Sequence, residues 1–254
     1  MTAPQPRLPH AYRLAFYDTV DSTNDEAKRL ARAGAEEGTL VWACEQSAGR
    51  GRRNRAWTSP PGNLYVSLIL RPQCPIDQAA QLGFVAALAV GDTLGSISKK
   101  GLGALCYKWP NDVLLRGRKL AGILLETELG EGEAPKFVVV GVGINLVSSP
   151  RDTEFPATSM AEEDLGIVSP SGAIEGFASH FQAWEGCWRQ EGFATIRAAW
   201  RARAIALGEP IRVRLEPATL HGRFIDIDQQ GALLLENAGE LRRVTAGEIF
   251  PVTR

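Results

Sequence analysis

Lys108-Trp-Pro-Asn-Asp-Val-Leu-Leu-Arg-Gly-Arg-Lys-Leu-Ala-Gly-Ile-Leu-Leu-Glu126 carries two apolar segments on either side of an Arg116-Gly117 turn. That pattern reads as a β-hairpin, Val113–Leu115 paired with Lys119–Glu126. Pro110 implies an edge or a bend at its start. Downstream, Phe137–Val147 is a near-continuous apolar run, which predicts a strand buried on both faces. Upstream, Leu64, Val66, Leu68 and Leu70 alternate as one face of a strand, and Thr39–Glu45 and Arg13–Asp18 supply two more. Helices fall between them. Thr23 followed three residues later by Glu26 reads as a capping box for a helix through Ala27–Ala33 that stops at Gly34. Ile76–Ile97 has the apolar spacing of one long helix, and Ser169-Pro170 opens another, with Ile174, Phe177, Phe181, Trp184 and Trp188 at helical spacing. A shorter helix covers Ile196–Ala206. The outcome is an α+β core with a mainly antiparallel or mixed sheet.

The composition changes at Leu207-Gly-Glu-Pro210. Beyond it, Ile211/Val213/Leu215, Gly222–Ile227, Ala232–Glu236 and Leu241–Val244 are short strands separated by turn residues, with no helical pattern. They describe a small all-β barrel. The expected domains are therefore 1–206 and 207–254.

The 254 residues carry 28 Lys+Arg against 29 Asp+Glu, a formal net charge of −1, which argues against a protein that coats nucleic acid by bulk charge. Cys44, Cys74, Cys106 and Cys187 lie far apart and, with only His10, His180 and His221 besides, predict free buried thiols instead of a metal cluster. The N-terminal segment from Met1 to His10 has three prolines and no apolar stretch, so it does not read as a signal peptide. Leu82–Val90 is the longest clean apolar run, far short of the roughly 18 residues of a membrane span. A soluble, cytoplasmic protein is expected, with no membrane partner.

No P-loop, G-x-S-x-G elbow or H-E-x-x-H occurs. Gly141-Val-Gly143-Ile-Asn-Leu146 begins like a dinucleotide fingerprint but lacks the third glycine and lies inside a predicted strand. The loop Gly49-Arg-Gly-Arg-Arg-Asn-Arg55 alternates arginine with glycine, so guanidinium groups can converge on a phosphate while the backbone folds tightly. Trp57 downstream offers a stacking plate. By itself the same loop also fits a solvated basic segment or an arginine-rich RNA contact. Asn111 and Asp112 carry oxygens suited to Mg²⁺ or ribose. Lys119 opens a strand that turns apolar at once, and Ala121 and Gly122 allow close approach to the backbone; alone, Lys119 reads as a snorkelling surface lysine.

Taken together and in this order, Asp21-Ser-Thr-Asn24, Glu45-Gln46, Gly49-Arg-Gly-Arg-Arg53 with Trp57, Asn63-Leu-Tyr65, Lys108-Trp-Pro-Asn-Asp112, Arg118-Lys-Leu-Ala-Gly-Ile-Leu124 and Gly141-x-Gly-Ile-Asn145 resemble the bacterial biotin–protein ligases over nearly the whole chain. Gly231-Ala-Leu-Leu-Leu-Glu236 resembles that family's C-terminal SH3-like barrel. The resemblance implies a catalytic fold related to class II aminoacyl-tRNA synthetases and a two-step reaction. Biotin and ATP, with Mg²⁺, give biotinyl-5′-AMP and pyrophosphate; a lysine of the biotin carboxyl carrier protein of acetyl-CoA carboxylase, or of a related carboxylase, then takes the biotinyl group. The same resemblance implies that Ser22, Thr23, Asn24, Gln46, Arg50, Gly51, Arg52, Lys119 and Gly122 contact biotin. It places Arg50, Arg52, Arg55, Trp57, Asn111, Asp112, Lys119 and Asn145 around ATP or the adenylate, with Asp112 as a magnesium ligand and Lys119 and Arg52 as the catalytic pair.

A lipoate or octanoate ligase of the same fold is the neighbouring alternative, although such acids lack the ureido ring that Ser22, Thr23 and Gln46 would serve. A nucleic-acid-binding module using the arginine loop is the remote one. The first family motif starts near Arg13–Ser22, which leaves no room for the winged helix of the DNA-binding ligases and implies a ligase without DNA as partner. Homodimer formation through extended central sheets stays open. An acyl adenylate hydrolyses when water reaches it, so the arginine loop is expected to close over the intermediate. Arg52→Gly should then release the adenylate and label bystander lysines in a protein mixture; biotinylation confined to the carrier at the wild-type rate contradicts this.

Overall fold

A computed structural model describes residues 6–98, 103–130, 132, 134–151, 153–166 and 168–252. The first five residues of the proline-rich start lie outside the described residues. The chain forms two sheets. The larger comprises β1 (Arg13–Val20), β2 (Thr39–Gln46), β3 (Leu64–Leu70), β4 (Leu105–Lys108), β5 (Asp112–Leu115), β6 (Arg118–Leu129) and β7 (Pro135–Ile144), in the order β1-β2-β3-β7-β6-β5-β4. Only β1 and β2 pair in parallel, so the sheet is mixed. The predicted hairpin is β5–β6, with Arg116 and Gly117 both at positive φ in its turn.

Strand β4 went unpredicted because Leu105-Cys-Tyr-Lys108 is short and ends at Trp109-Pro110, the cis peptide that turns the chain into β5. Its outer edge is covered. Tyr107 N–H donates to Arg203 O and Ile205 N–H to Tyr107 O, both at 2.8 Å. Those bonds also explain why the helix expected over Ile196–Ala206 is instead α5, Phe193–Arg201. The residues after Arg201 serve the sheet edge.

The two faces of the large sheet differ. Leu64, Val66, Leu68 and Leu70 of β3 and Val138, Val140, Val142 and Ile144 of β7 enter the main core beneath α3 (Leu82–Ile97), α4 (Pro170–Glu191) and α5. The opposite face carries α1 (Thr23–Arg32) over a small cluster of Ala27, Ala31, Val41, Ile69, Phe137 and Val139. The single helix expected from Ile76 to Ile97 is divided into α2 (Ile76–Ala79) and α3 by a tight turn in which Gln81, Gly83 and Phe84 donate to carbonyls three residues back. Gln81 pins the break, accepting from Trp188 Nε1 and donating to Gln229 O. By length and composition this segment could cross a membrane, but 72% of its most apolar 18-residue window is buried within the protein, as in a core helix.

The smaller sheet holds β8 (Pro210–Arg214), β9 (Thr219–Ile227), β10 (Leu233–Asn237), β11 (Glu240–Val244) and β12 (Glu248–Pro251), in the order β11-β10-β9-β8-β12. Strand β12 was missed because four residues ending in proline give no alternation to read. Its core is continuous with the main one, and Trp109 Nε1 donates to Gly231 O at 3.0 Å across the junction. The four cysteines are free and half-buried.

Helix α3 approaches β4 through Gly91, where a Cβ would lie 2.2 Å from the Tyr107 hydroxyl. Gly91→Ala should therefore cost about 1–3 kcal/mol through overpacking, seen as a lower urea midpoint at unchanged m value.

Candidate functional site

On the α1 side, β7 changes from Phe137 and Val139 to Gly141 and Gly143, and the small core gives way to bare backbone. Functional side chains lie directly on it. Asn24 Oδ1 sits 2.1 Å from where a Gly141 Cβ would be, and the Trp57 indole lies 2.6 Å from that position at Gly143 and 2.9 Å at Gly122. The glycines that begin like a dinucleotide fingerprint thus make a flat floor for side chains. Above it opens a cavity of about 380 Å³. All fourteen site residues named from the sequence, from Ser22 to Asn145, line it.

One end of the cavity is neutral and built at the start of α1. Ser22 is the N-cap, but its hydroxyl makes no capping bond, and the expected Thr23/Glu26 capping box is absent. The side chains are used elsewhere: Glu26 accepts from Tyr17 and Arg29, while Thr23 faces Gln46. Gln46 Oε1 accepts the Thr23 backbone N–H at 2.8 Å and lies 3.1 Å from Thr23 Oγ1; its Nε2 donates to Ser59 Oγ, which donates to Trp57 O. Asn24 Nδ2 donates to Glu126 at 2.8 Å, and its Oδ1 accepts from Ser67 at 2.6 Å. Burial raises the Glu126 carboxyl, but hydrogen bonds from Lys28 and Asn24 and the charges of Lys28 and Arg50 outweigh it and the net shift is downward.

The other end is charged. Lys119 Nζ lies 2.6 Å from Asp112 Oδ1 and 5.2 Å from the Trp57 ring centroid. Lys108, 1% exposed, lies 3.6 Å from the other Asp112 oxygen and 3.3 Å from Glu248. Glu248 also takes Arg55 and Arg214 at 2.9 and 2.7 Å. Burial alone would raise its carboxyl; these cations hold it at about 2. Burial depresses Lys108 in turn, against the pull of Asp112 and Glu248.

The arginine loop is ordered against protein groups. Arg50 donates to Asp25 and Glu126, Arg52 to Gly247 O and Asn111 Oδ1, and Arg53 to Arg214 O. Among the described residues Arg52 meets neutral oxygens only, so it is the member of the loop with no carboxylate to surrender before contacting an anion. Asn111 and Asn145 spend their amides on Ile123 O and Thr158 O, which gives both a framework role at the cavity wall. Both oxygens of Asp112 face lysines, and no group of three His, Cys, Asp or Glu among the described residues could hold a metal. Asp112 is a single carboxylate facing two lysines, which fits an anchor for Lys119; a magnesium ion held there would need phosphate oxygens of its substrate beside that carboxylate.

Three contributors escaped the sequence reading. Phe155 lines the cavity with Lys108 Nζ 4.1 Å from its ring centroid. It stands alone in a polar loop and gives no pattern to detect. Ser67 is an ordinary small residue within a strand, and Glu248 is brought from the far end of the chain.

The match to known proteins covers both sheets. Residues 16–145 match the Biotin/lipoate A/B protein ligase family, and residues 206–250 match the Biotin protein ligase C terminal domain. The biotin–[acetyl-CoA-carboxylase] ligase of Paracoccus denitrificans is 45% identical over 235 residues, covering 91% of this chain and 97% of the relative. The bifunctional ligase/repressor BirA of Bacillus subtilis is 35% identical over 93% of this chain and 73% of its own length. In three dimensions the biotin protein ligase of Aquifex aeolicus, solved with biotin and ATP, superposes with a TM-score of 0.78 at 25% identity, covering 94% of this chain and 97% of that one. With a glycine floor, an ordered arginine loop and this coverage at both ends, the chain belongs to the biotin protein ligase family.

Proposed function

We propose that this cavity activates biotin with ATP and passes it to a carrier lysine. The observation that carries the reading is Lys119, which stands where the neutral end of one cavity meets its basic end. A ureido ring offers two N–H donors and a carbonyl acceptor, and burying it requires partners for all three. Thr23, Gln46 and Ser22 supply oxygens and N–H groups of that kind, with Asn24 supporting them and Gly51 and Arg50 closing the wall. The valeryl chain would lie over the Gly122–Gly143 floor against Trp57, and its carboxylate would reach Lys119. On the far side, Arg52, Arg55, Asn111 and Asn145 flank the space for the nucleotide, and Phe155 offers a ring face to the base.

A carboxylate oxygen attacks the α-phosphorus of ATP; the new P–O bond forms as the bond to the β-phosphate bridge breaks, and pyrophosphate leaves. Lys119 lowers the repulsion between the two anions and stabilises charge that grows on the phosphorus oxygens. Asp112 keeps its ammonium in place. Magnesium would neutralise charge on the phosphates of ATP and belongs to the substrate complex. In the second step an amine of the carrier attacks the acyl carbon, the C–O bond to phosphate breaks, and AMP leaves with that electron pair. The carrier of acetyl-CoA carboxylase is the fitting acceptor, since that enzyme names the partner of the Paracoccus relative. A soluble protein of the cytoplasm suits that partner.

ATP–pyrophosphate exchange should occur with biotin and not with lipoate or octanoate at matched concentrations; exchange with lipoate overturns the substrate, and none with any acid overturns the reading. Lys119→Ala should lower the exchange rate at least about a hundredfold, as deletion of a charged transition-state contact does, and an unchanged rate removes Lys119 from the chemistry.

A further inference from the structure

Strict alternation along β6 would put Lys119 on the same face as Ala121 and Ile123, which lie in the main core. It points the other way. Lys119 Cε is 3.2 Å from the position that a Gly122 Cβ would take, so the two residues share the cavity face although they stand three apart. The odd spacing is absorbed at Leu120. In the β5–β6 register Leu114 opposes Lys119 and Val113 opposes Ala121, which leaves Leu120 as an extra residue on β6. Leu120 and Ala121 are consecutive and both fully buried in the main core, the mark of a bulge. A slip of one residue here would send Lys119 to the other face.

The bulge is held from outside the antiparallel ladder. Strand β7 ends opposite Ala121, and a segment further along the chain takes over as the partner of Lys119. The Lys119 N–H donates to Pro156 O at 2.7 Å and the Thr158 N–H to Lys119 O at 2.9 Å, a short parallel bridge centred on Ala157. Asn145 N–H donates to Leu120 O, and Asn145 Nδ2 donates to Thr158 O. Glu163 locks this join. Its side chain is 1% exposed and accepts from Arg116 at 2.7 Å, from Arg118 and from the Thr158 hydroxyl at 2.8 Å. Arg116 and Arg118 belong to the turn into β6 and Thr158 to the bridge, so one carboxylate ties together the two pieces of chain that bracket the Lys119 backbone. Glu163 itself does not line the cavity.

We infer that Glu163 is a positioning residue for the adenylation step, holding the β6 bulge that turns the Lys119 ammonium out of the core and over the glycine floor. Asp112 fixes that ammonium at its tip; Glu163 fixes the backbone from which the side chain starts. The inference rests on the reading that Lys119 acts at the phosphorus being transferred, and it adds what aims Lys119 there.

The test is a double-mutant cycle in pyrophosphate exchange, read as kcat at saturating biotin and ATP so that changes in binding drop out. Glu163→Gln keeps the volume and removes the charge. Arg116 and Arg118 are both partly in solvent, so this variant strands no buried cation. It should lower kcat about tenfold in the wild-type background, the scale of a small misplacement of a catalytic group. In Lys119→Ala, which has no ammonium to aim, the same substitution should change kcat by less than about twofold. Arg118→Ala is the milder variant, because Arg116 stays on the carboxylate; it should repeat the pattern with a loss of about threefold that vanishes in Lys119→Ala. Equal losses in both backgrounds, or none in either, overturn the inference and leave Glu163 a support of the fold. Lys119→Ala alone separates the two failures. An unchanged exchange rate there removes Lys119 from the chemistry and takes the inference with it, whereas a full loss beside an uncoupled Glu163 defeats the inference only.

Discussion

The close approach of side chains to bare backbone on one face of β7 is the constraint from which the site follows. A Cβ at Gly141 or Gly143 would occupy the place of the Asn24 carboxamide or the Trp57 indole. The same strand's opposite face is Val138, Val140, Val142 and Ile144, fully committed to the core. One strand thus anchors the fold on one side and clears a floor on the other. The period of two in a pleated strand makes this division possible without any change in backbone geometry. Asn24 stands on that floor, and the direction of its amide is set by the Glu126 carboxylate and Leu124 O, which cannot donate.

The charged end is organised differently. Its cations are held by carboxylates that other elements provide: Asp112 for Lys119, Glu248 for Arg55 and Lys108, and Asp25 with Glu126 for Arg50. Removing one member of such a buried cluster leaves an uncompensated charge, so the cluster is a constraint on position more than a source of stability. The Glu248 carboxyl at about 2 fits that description, because the ionised form is the one its three cations recognise. In the proposed reading, a phosphate entering here would exchange one anion for another on the same guanidinium groups, except at Arg52, which would give up neutral oxygens.

Much of this was legible in the sequence. The alternation of Leu64 to Leu70, the apolar run before Asn145 and the Arg116-Gly117 turn have local causes, and each was found where it was expected. The order of motifs along the chain named the lining of the cavity. What stayed hidden is pairwise and distant. Thr23 and Glu26 satisfy the capping spacing, but tertiary partners outbid the cap. Gln81 divides a segment whose apolar pattern is unbroken, because Trp188 and Gln229 need its amide. Residues past Arg201 leave the helix for the edge of β4. Ser67 and Glu248 have no motif, and their roles exist only once strands remote in sequence are side by side.

The arginine loop is braced by the other end of the chain: Arg52 reaches Gly247 across 195 positions, and Arg55 reaches Glu248 across 193. A ribosome delivers these partners after every strand of the larger sheet. During synthesis the neutral end of the cavity can assemble early from β1 to β7, whereas the loop must wait for β12 before its guanidinium groups find their brackets. Bracing of the loop is therefore a later event than assembly of the glycine floor, and a chain cut before Gly247 would keep the floor while losing both of these contacts.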